Sequence, residues 1–165
     1  MATITLGGNP VHTSGELPKV GSKLADFKLV QNDLSIADLS TFAGKKLVLN
    51  IFPSIDTGTC ATSVRKFNES ASNLANTIVL CISRDLPFAQ KRFCGAEGIA
   101  NAITLSDFAE GTFGKNNGLE FVDGPLKGLH SRAIIVVDEN GVVTHTEQVA
   151  EIAHEPNYEA ALAAL

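Results

Sequence analysis

Apolar and polar residues follow one another in blocks along the chain, and the spacing inside each block predicts its secondary structure. Two runs, LVLNIF at 47–52 and TIVLCIS at 77–83, are apolar with almost no alternation, as in strands covered on both faces of a parallel sheet. Between them, apolar residues recur every three or four positions from Cys60 to about Ala75, which predicts one face of a helix. A strand, a helix and a second strand are therefore expected in the first half of the chain.

The N-terminal part carries its own turn signals. TITLGGNPVHT predicts a small hairpin within about residues 1–15, turning at Gly7-Gly8-Asn9. FKLV at 27–30 predicts a strand, and the residues after it predict a short helix that ends at Gly44. These elements precede the strand at 47–52.

The second half of the chain continues the alternation of helices and strands. A helix is expected from Pro87 to about Glu97, and the Gly- and Asn-rich tract at 106–129 predicts a short helix and a long loop. Two antiparallel strands are expected to meet at Asn140-Gly141, before a last helix near Pro156. This order is typical of an α/β thioredoxin-like fold, a central mixed sheet flanked by helices, with an N-terminal β-hairpin extension. A flavodoxin-like sheet shares the early strands but lacks the late hairpin.

The length and net charge of the chain indicate how many domains to expect and which kinds of partner to exclude. A chain of 165 residues and 17.4 kDa is expected to form a single domain over 1–165. The 13 Lys and Arg against 18 Asp and Glu leave a net charge of −5, which argues against nucleic acid or anionic lipid as a partner. Neither a signal peptide nor an apolar run of membrane-spanning length is evident. We therefore expect a cytoplasmic protein with no membrane association.

The cysteines are the candidate reactive groups. The chain has three, Cys60, Cys81 and Cys94, with no CxxC pair of the zinc-site kind. Three cysteines are too few for a secreted disulfide framework, and in a reducing compartment a disulfide is transient and functional. Cys81 lies in the middle of a predicted buried strand and is expected to be inert packing.

The position of Cys94 around its predicted helix bears on its exposure. Helical spacing separates two sides, with Ala89, Phe93 and Ala96 on one and Gln90, Cys94 and Glu97 on the other. The first side is the more apolar, so Cys94 is expected nearer to solvent.

Cys60 lies where a strand gives way to a helix, in the stretch FPSIDTGTC. Unpaired N–H groups and the positive end of the dipole at a helix start stabilise an anion such as a thiolate, which is the nucleophilic form of cysteine. Thr57 or Thr59 could cap the helix, and the Thr57 hydroxyl could also donate a hydrogen bond to the sulfur. Pro53 bends the chain out of the strand. A cysteine on an apolar helical stripe also fits simple packing, and these residues alone leave both readings open.

Four separated stretches resemble one known family. NIFPSIDTGTC has the peroxiredoxin signature of a proline, three residues, a threonine, two residues and a cysteine, here Pro53, Thr57 and Cys60. Together with DLPFAQKRFCGAEG, DGPLKGLHSRAIIVVDENG and EPNYEAAL, it is similar to the bacterial thiol peroxidase branch, atypical two-cysteine peroxiredoxins with a thioredoxin fold. The resemblance covers essentially the whole chain.

The resemblance implies an activity and roles for five residues. Cys60 would be the peroxidatic cysteine and Cys94 the resolving cysteine of the same chain, with Pro53, Thr57 and Arg132 lining the peroxide site. The substrate would be a hydroperoxide, preferably an alkyl one, and the apolar residues Phe52, Ile55 and Phe88 are available to its pocket. Thioredoxin would be the reductant, the protein would be a homodimer, and no metal, flavin or haem would be needed.

Placing Cys60 inward and Cys94 outward on different helices has a geometric consequence. Their Cα atoms are expected more than about 7 Å apart in the reduced protein, too far for a disulfide without backbone movement. Both helix segments would then have to unwind locally during each turnover.

Two other functions remain compatible with a reactive Cys60. A cysteine hydrolase would pair it with one of the four histidines, of which only His130, two residues before Arg132, is expected near the site. His12 and His154 lie in predicted terminal or loop segments, and His145 is expected to face solvent. A non-catalytic redox relay would exchange a disulfide with a client protein and would need no hydroperoxide.

Overall fold

The computed structural model of the protein describes residues 1–165 and contains two sheets. The strands are β1 (Thr3–Leu6), β2 (Asn9–His12), β3 (Leu29–Val30), β4 (Ile36–Ala37), β5 (Lys46–Ile51), β6 (Thr77–Ser83), β7 (Ala102–Ser106), β8 (Ala133–Val137) and β9 (Val143–Gln148). The helices are α1 (Gly58–Ala71), α2 (Pro87–Glu97), α3 (Thr112–Asn116) and α4 (Tyr158–Ala163), with a 3₁₀ turn at Leu39–Phe42. Strands β1 and β2 pair only with each other, and the other seven form the main sheet.

The main sheet is mixed, with strand order β4-β3-β7-β6-β5-β8-β9. Strands β5, β6 and β7 are parallel, as expected for strands connected through helices, whereas β8 runs antiparallel to β5 and pairs with β9 in a hairpin. The expected α/β thioredoxin-like fold with an N-terminal hairpin extension is therefore confirmed.

Both faces of the central strands are covered, which explains their continuous apolar sequences. Along β5, Leu49 and Ile51 face one core together with Phe113 of α3, whereas Val48 faces the other core together with α1 and α4. Helix α2 contributes Phe93 to that second core. Because β5 and β6 are parallel, their carboxyl ends meet at one edge of the sheet, next to the start of α1.

Helix α1 begins and ends earlier than its apolar spacing indicated. It begins at Gly58 and ends at Ala71, with Thr57 at the N-cap position. The apolar stripe itself is confirmed, because Cys60, Val64 and Phe67 are fully buried. The spacing counted Leu74 as helical, but the chain turns at Ser72 before reaching it.

The expected division of α2 into two sides is wrong at Gln90 and Ala96. Gln90 is fully buried, and its amide donates to Ser83 Oγ at 3.1 Å and to the Leu105 carbonyl at 2.9 Å. Ala96 is exposed instead. These two hydrogen bonds satisfy the amide nitrogen, which makes its burial tolerable, although the amide oxygen has no partner; spacing alone does not show that partners exist. Cys94 is half-buried, between these two environments.

The N-terminal hairpin packs against the body of the protein through a small apolar cluster. Ile4 and Val11 of the hairpin are buried against Phe121 and Ile152. His145 is half-buried in β9 rather than openly exposed, and its Nε2 atom is buried. None of the helices is both long and apolar enough to cross a membrane.

Candidate active site

The loop that joins β5 to α1 is held in place by a carboxylate at the end of the neighbouring strand. Asp85, two residues after β6, accepts hydrogen bonds from the Ile55 N–H at 2.7 Å, the Ser54 hydroxyl at 2.7 Å and the Ser83 hydroxyl at 2.6 Å. Parallel strands bring their carboxyl ends to one edge, so two loops far apart in sequence meet here. Asp85 thereby fixes the path of the chain between Pro53 and the first turn of α1.

Cys60 lies in the first turn of α1 and is fully buried. Its sulfur is 3.4 Å from Nη2 of Arg132, and this is the only side-chain hydrogen bond at that sulfur. The N–H groups of Gly58, Thr59 and Cys60 lack carbonyl acceptors in the preceding loop, as at any helix start. A guanidinium therefore contacts the thiol, and the unpaired N–H groups lie in the same helical turn; both features stabilise negative charge on sulfur.

Arg132, directly before β8, is held by one backbone contact. Its Nε donates to the Ile152 carbonyl at 2.9 Å, and only 3% of the residue is exposed. Its Nη1 has no hydrogen-bond partner in the protein. A buried and unpartnered N–H donor costs free energy unless a ligand or water satisfies it. The free nitrogen can serve as a donor to an oxygen atom bound beside Cys60.

A cavity of about 310 Å³ opens next to this pair. Its lining includes Pro53, Thr57 and Arg132, so the structure brings these residues together with Cys60. Its apolar wall consists of five residues, Leu6, Leu126, Leu129, Ile152 and Ala153. The expectation that Phe52, Ile55 and Phe88 would supply this wall is wrong: the first two are buried in the core and Phe88 is exposed on α2.

The two threonines at the start of α1 do not cap it with their hydroxyls. Thr57 occupies the N-cap position, but its hydroxyl donates to the Ser54 carbonyl at 3.1 Å, not to a helix N–H or to the sulfur. The Thr59 hydroxyl donates to the Ala153 carbonyl at 3.1 Å. Ser54 lies only three residues before Thr57 in the same turn, whereas the Ala153 carbonyl belongs to a distant loop that the tertiary fold places there. With its proton committed to Ser54, the Thr57 oxygen can accept a hydrogen bond at the cavity.

The other two thiols have different surroundings. The Cys94 sulfur is 3.5 Å from the Thr104 hydroxyl of β7, which in turn donates to Asn32 Oδ1 at 2.9 Å. Cys94 lies in a separate cavity of about 270 Å³, and all three cysteines are free thiols. Burial raises the pKa of the Cys81 thiol to about 12, so it is not a nucleophile at neutral pH.

No histidine contacts the Cys60 sulfur. His130 is fully buried, and its Nε2 is 2.9 Å from Asp107 Oδ2, with its ring against Phe113. His12 pairs with Asp123 on the hairpin side, and His154 is exposed. A cysteine hydrolase requires a base within hydrogen-bond reach of the nucleophile, and the structure shows none. No cluster of three or more His, Cys, Asp or Glu could hold a metal ion.

Two residues position the site without touching the reacting sulfur, and sequence patterns did not predict either of them. Asp85 holds the loop before α1, and Ile152 supplies the acceptor for Arg132. The only available signal for Asp85 was its place just after a predicted parallel strand. A backbone carbonyl such as that of Ile152 leaves no signal in the sequence.

Comparisons with known proteins agree with this geometry. The Redoxin family model matches residues 19–162. A thiol peroxidase of Corynebacterium glutamicum is 59% identical over 165 residues, covering 100% of this chain and 99% of that protein.

Solved structures give the same result. A peroxiredoxin-like protein from Aquifex aeolicus superposes with a TM-score of 0.92 at 36% identity, covering 99% of this chain and 96% of the other. A thiol peroxidase from Chromobacterium violaceum, at 24% identity, shares the fold with a TM-score of 0.89 over 96% of this chain and 91% of its own. The chain therefore belongs to the Redoxin family, among the thiol peroxidases and peroxiredoxins.

Proposed function

We propose that this protein is a thiol-dependent peroxidase that reduces hydroperoxides with Cys60 as the peroxidatic cysteine. The observation that carries the proposal is the 3.4 Å contact between Arg132 Nη2 and the Cys60 sulfur in the first turn of α1, beside an open cavity. Thiolates gain reactivity at helix starts and next to guanidinium groups, and this thiol has both. The family relationship supports the same activity.

The first step is a two-electron transfer from sulfur to oxygen. The Cys60 thiolate attacks the terminal oxygen of the hydroperoxide, a sulfur–oxygen bond forms and the oxygen–oxygen bond breaks. The departing alkoxide or hydroxide takes a proton and leaves as alcohol or water, and Cys60 becomes a sulfenic acid. Arg132 and the first-turn N–H groups stabilise the negative charge that moves onto the departing oxygen. Thr57 accepts the hydrogen bond of the hydroperoxide O–H, and Pro53 closes the cavity on one side.

The second step forms a disulfide within the chain. The Cys94 thiol attacks the sulfenic sulfur of Cys60, a sulfur–sulfur bond forms and water leaves. The groups that contact the two thiols lie at β8 and on β7, which are separated by β5 and β6. No contact joins the two thiols, so we expect the first turn of α1 and part of α2 to unwind before the sulfurs can meet.

The remaining parts of the proposal concern partners and surroundings. An external dithiol such as thioredoxin returns the disulfide to two thiols by exchange. The apolar cavity wall favours organic hydroperoxides over hydrogen peroxide. We further propose that residues 1–165 form one domain, that two copies associate as a homodimer, and that the protein is cytoplasmic.

Peptide mapping after oxidation tests the proposal directly. Reduced protein receives one equivalent of cumene hydroperoxide without any reductant, and its intact mass and digest are measured. We expect loss of two hydrogen atoms and one crosslinked peptide pair that joins Cys60 to Cys94. An unchanged mass, with all hydroperoxide left over, would contradict the peroxidase proposal. Continued hydroperoxide consumption with thioredoxin and its reductase, but no client protein, distinguishes an enzyme from a redox relay.

A further inference from the structure

The N-terminal hairpin is joined to the segment that holds Arg132. This hairpin precedes residues 19–162, where the family model matches, yet it reaches the active site. Leu6 at the end of β1 lines the cavity beside Cys60. The segment 150–153 lies between the hairpin and the guanidinium and contacts both.

Backbone hydrogen bonds make segment 150–153 an extension of the hairpin. The Thr5 N–H donates to the Ala150 carbonyl at 2.8 Å, and the Ile152 N–H donates to the Thr5 carbonyl at 3.0 Å. Thr5 and Glu151 thereby form a parallel bridge. The same Ile152 accepts from Arg132 Nε through its carbonyl, and its side chain is buried among the hairpin's apolar residues. Ile152 is thus fixed by the hairpin on one side and fixes Arg132 on the other.

The Glu151 carboxylate stabilises the contact between the hairpin and segment 150–153 through hydrogen bonds to both. Its Oε1 accepts from the Gly8 N–H at 2.8 Å and from the Thr5 hydroxyl at 3.2 Å, and its Oε2 accepts from the Ala153 N–H at 3.1 Å. These hydrogen bonds, led by those from Gly8 and Ala153, lower the pKa of the Glu151 carboxyl, so it stays ionised at neutral pH. One side chain therefore binds the hairpin turn and the backbone next to Ile152.

We propose that Glu151, by joining the hairpin turn to segment 150–153, is a positioning residue for Arg132 in peroxide reduction. Arg132 has only two side-chain hydrogen bonds, one to the Ile152 carbonyl and one to the Cys60 sulfur. The orientation of the guanidinium therefore depends on where that carbonyl lies. A displacement of about 1 Å at a catalytic group can cost up to about a hundredfold in rate. The proposal rests on the proposed roles of Cys60 and Arg132.

Glu151→Ala removes the three hydrogen bonds and leaves the backbone bridge intact. Asp123→Ala is the matched control, because Asp123 also accepts hydrogen bonds from the hairpin, from the His12 N–H at 2.8 Å and the His12 ring at 2.6 Å, but shares no hydrogen bond with segment 150–153. Glu151→Gln restores an acceptor for Gly8 but not a second carboxylate oxygen for Ala153, so an intermediate effect is expected.

Two measurements distinguish a displaced Arg132 from a general loss of structural stability. The first is the single-turnover rate of hydroperoxide reduction, followed by quenched flow and mass spectrometry because the chain contains no Trp. The second is the pH dependence of Cys60 alkylation by iodoacetamide in a Cys94→Ser background. A guanidinium that has moved away from the sulfur stabilises its thiolate less, so the alkylation curve shifts to higher pH.

For Glu151→Ala we expect a single-turnover rate about tenfold lower and an alkylation curve shifted upward, with Asp123→Ala unchanged in both. The proposal is overturned if Glu151→Ala stays within about twofold of the parent in rate with an unshifted curve. It is equally overturned if Asp123→Ala produces the same changes. Alkylation needs no hydroperoxide, so it tests the placement of Arg132 separately. A parent protein that consumes no hydroperoxide would contradict the proposed function instead.

Discussion

Replacing Asp85 by Ala removes the carboxylate that holds the loop before α1. Three hydrogen bonds of 2.6 to 2.7 Å are lost, from the hydroxyls of Ser54 and Ser83 and from the Ile55 N–H. The two hydroxyls can rotate toward other partners, but Ile55 is 1% exposed and its N–H stays buried. A buried donor left without an acceptor costs about 1–3 kcal/mol, so with the serine bonds the free energy of unfolding should fall by about 2–4 kcal/mol.

The same change should slow peroxide reduction, because the loop from Pro53 to Thr57 then loses its anchor. Shifts of about 1 Å at a reacting centre cost up to about a hundredfold, and we expect a loss of this order in the single-turnover rate with cumene hydroperoxide. Urea denaturation measures the stability and quenched flow measures the rate. Asp85→Asn keeps one oxygen that can accept from the Ile55 N–H. It should therefore retain more of the stability and more of the reduction rate than Asp85→Ala does.

Asp138→Ala is the control for stability alone. Asp138 accepts two backbone N–H groups, from Asn140 at 2.8 Å and Val142 at 3.0 Å, in the turn between β8 and β9 away from the cavity. It should destabilise the protein without slowing the reaction. An Asp85→Ala protein that is less stable yet reduces hydroperoxide at the parent rate would contradict the proposed role of Asp85, as would equal slowing by Asp138→Ala.

Three further predictions concern the thiols and a carboxylate. Cys94→Ser should still reduce one hydroperoxide per chain but stop at a Cys60 sulfenic acid, seen as one added oxygen atom, with no disulfide; a crosslink to Cys81 would contradict this. Cys81 should resist iodoacetamide at pH 8 in the folded protein and react in urea, because a pKa of about 12 instead of 9.0 makes its thiolate about a thousandfold scarcer. Hydrogen bonds from the His12 N–H and ring lower the pKa of Asp123, so its stabilising effect is present above the ordinary carboxyl pKa of about 4 and is lost as pH falls through the folded value. Asp123→Asn should therefore flatten the acid side of the stability curve measured in urea, and an unchanged acid side would refute the assignment.

Local patterns in the sequence determined most of the fold. The uninterrupted apolar runs at 47–52 and 77–83 indicated covered strands, and β5 and β6 occupy nearly the same residues. The stripe from Cys60 to Phe67 indicated the buried face of α1, and Asn140-Gly141 lies in the turn between β8 and β9. These features depend on neighbours within a few positions, and such spacing is visible in a single chain.

The candidate site was predictable only through the resemblance. Cys60 and Arg132 are 72 positions apart, and nothing in periodicity shows that the start of α1 and the start of β8 are adjacent. That adjacency arises because β8 pairs with β5 in the sheet. The family motifs predicted that Cys60 and Arg132 belong to one site, which local patterns could not predict.

The tertiary structure alone decided which groups hold the reacting residues. Gln90 was expected on the solvent side of α2, but Ser83 and Leu105 provide buried partners for it. Asp85 can hold the loop before α1 because the carboxyl ends of β5 and β6 lie side by side. Ile152 can accept from Arg132 because the hairpin packs against it. The spacing of apolar residues along the chain indicates which side chains are buried. Hydrogen bonds between distant segments form only when strand pairing brings those segments together, so the spacing cannot predict them.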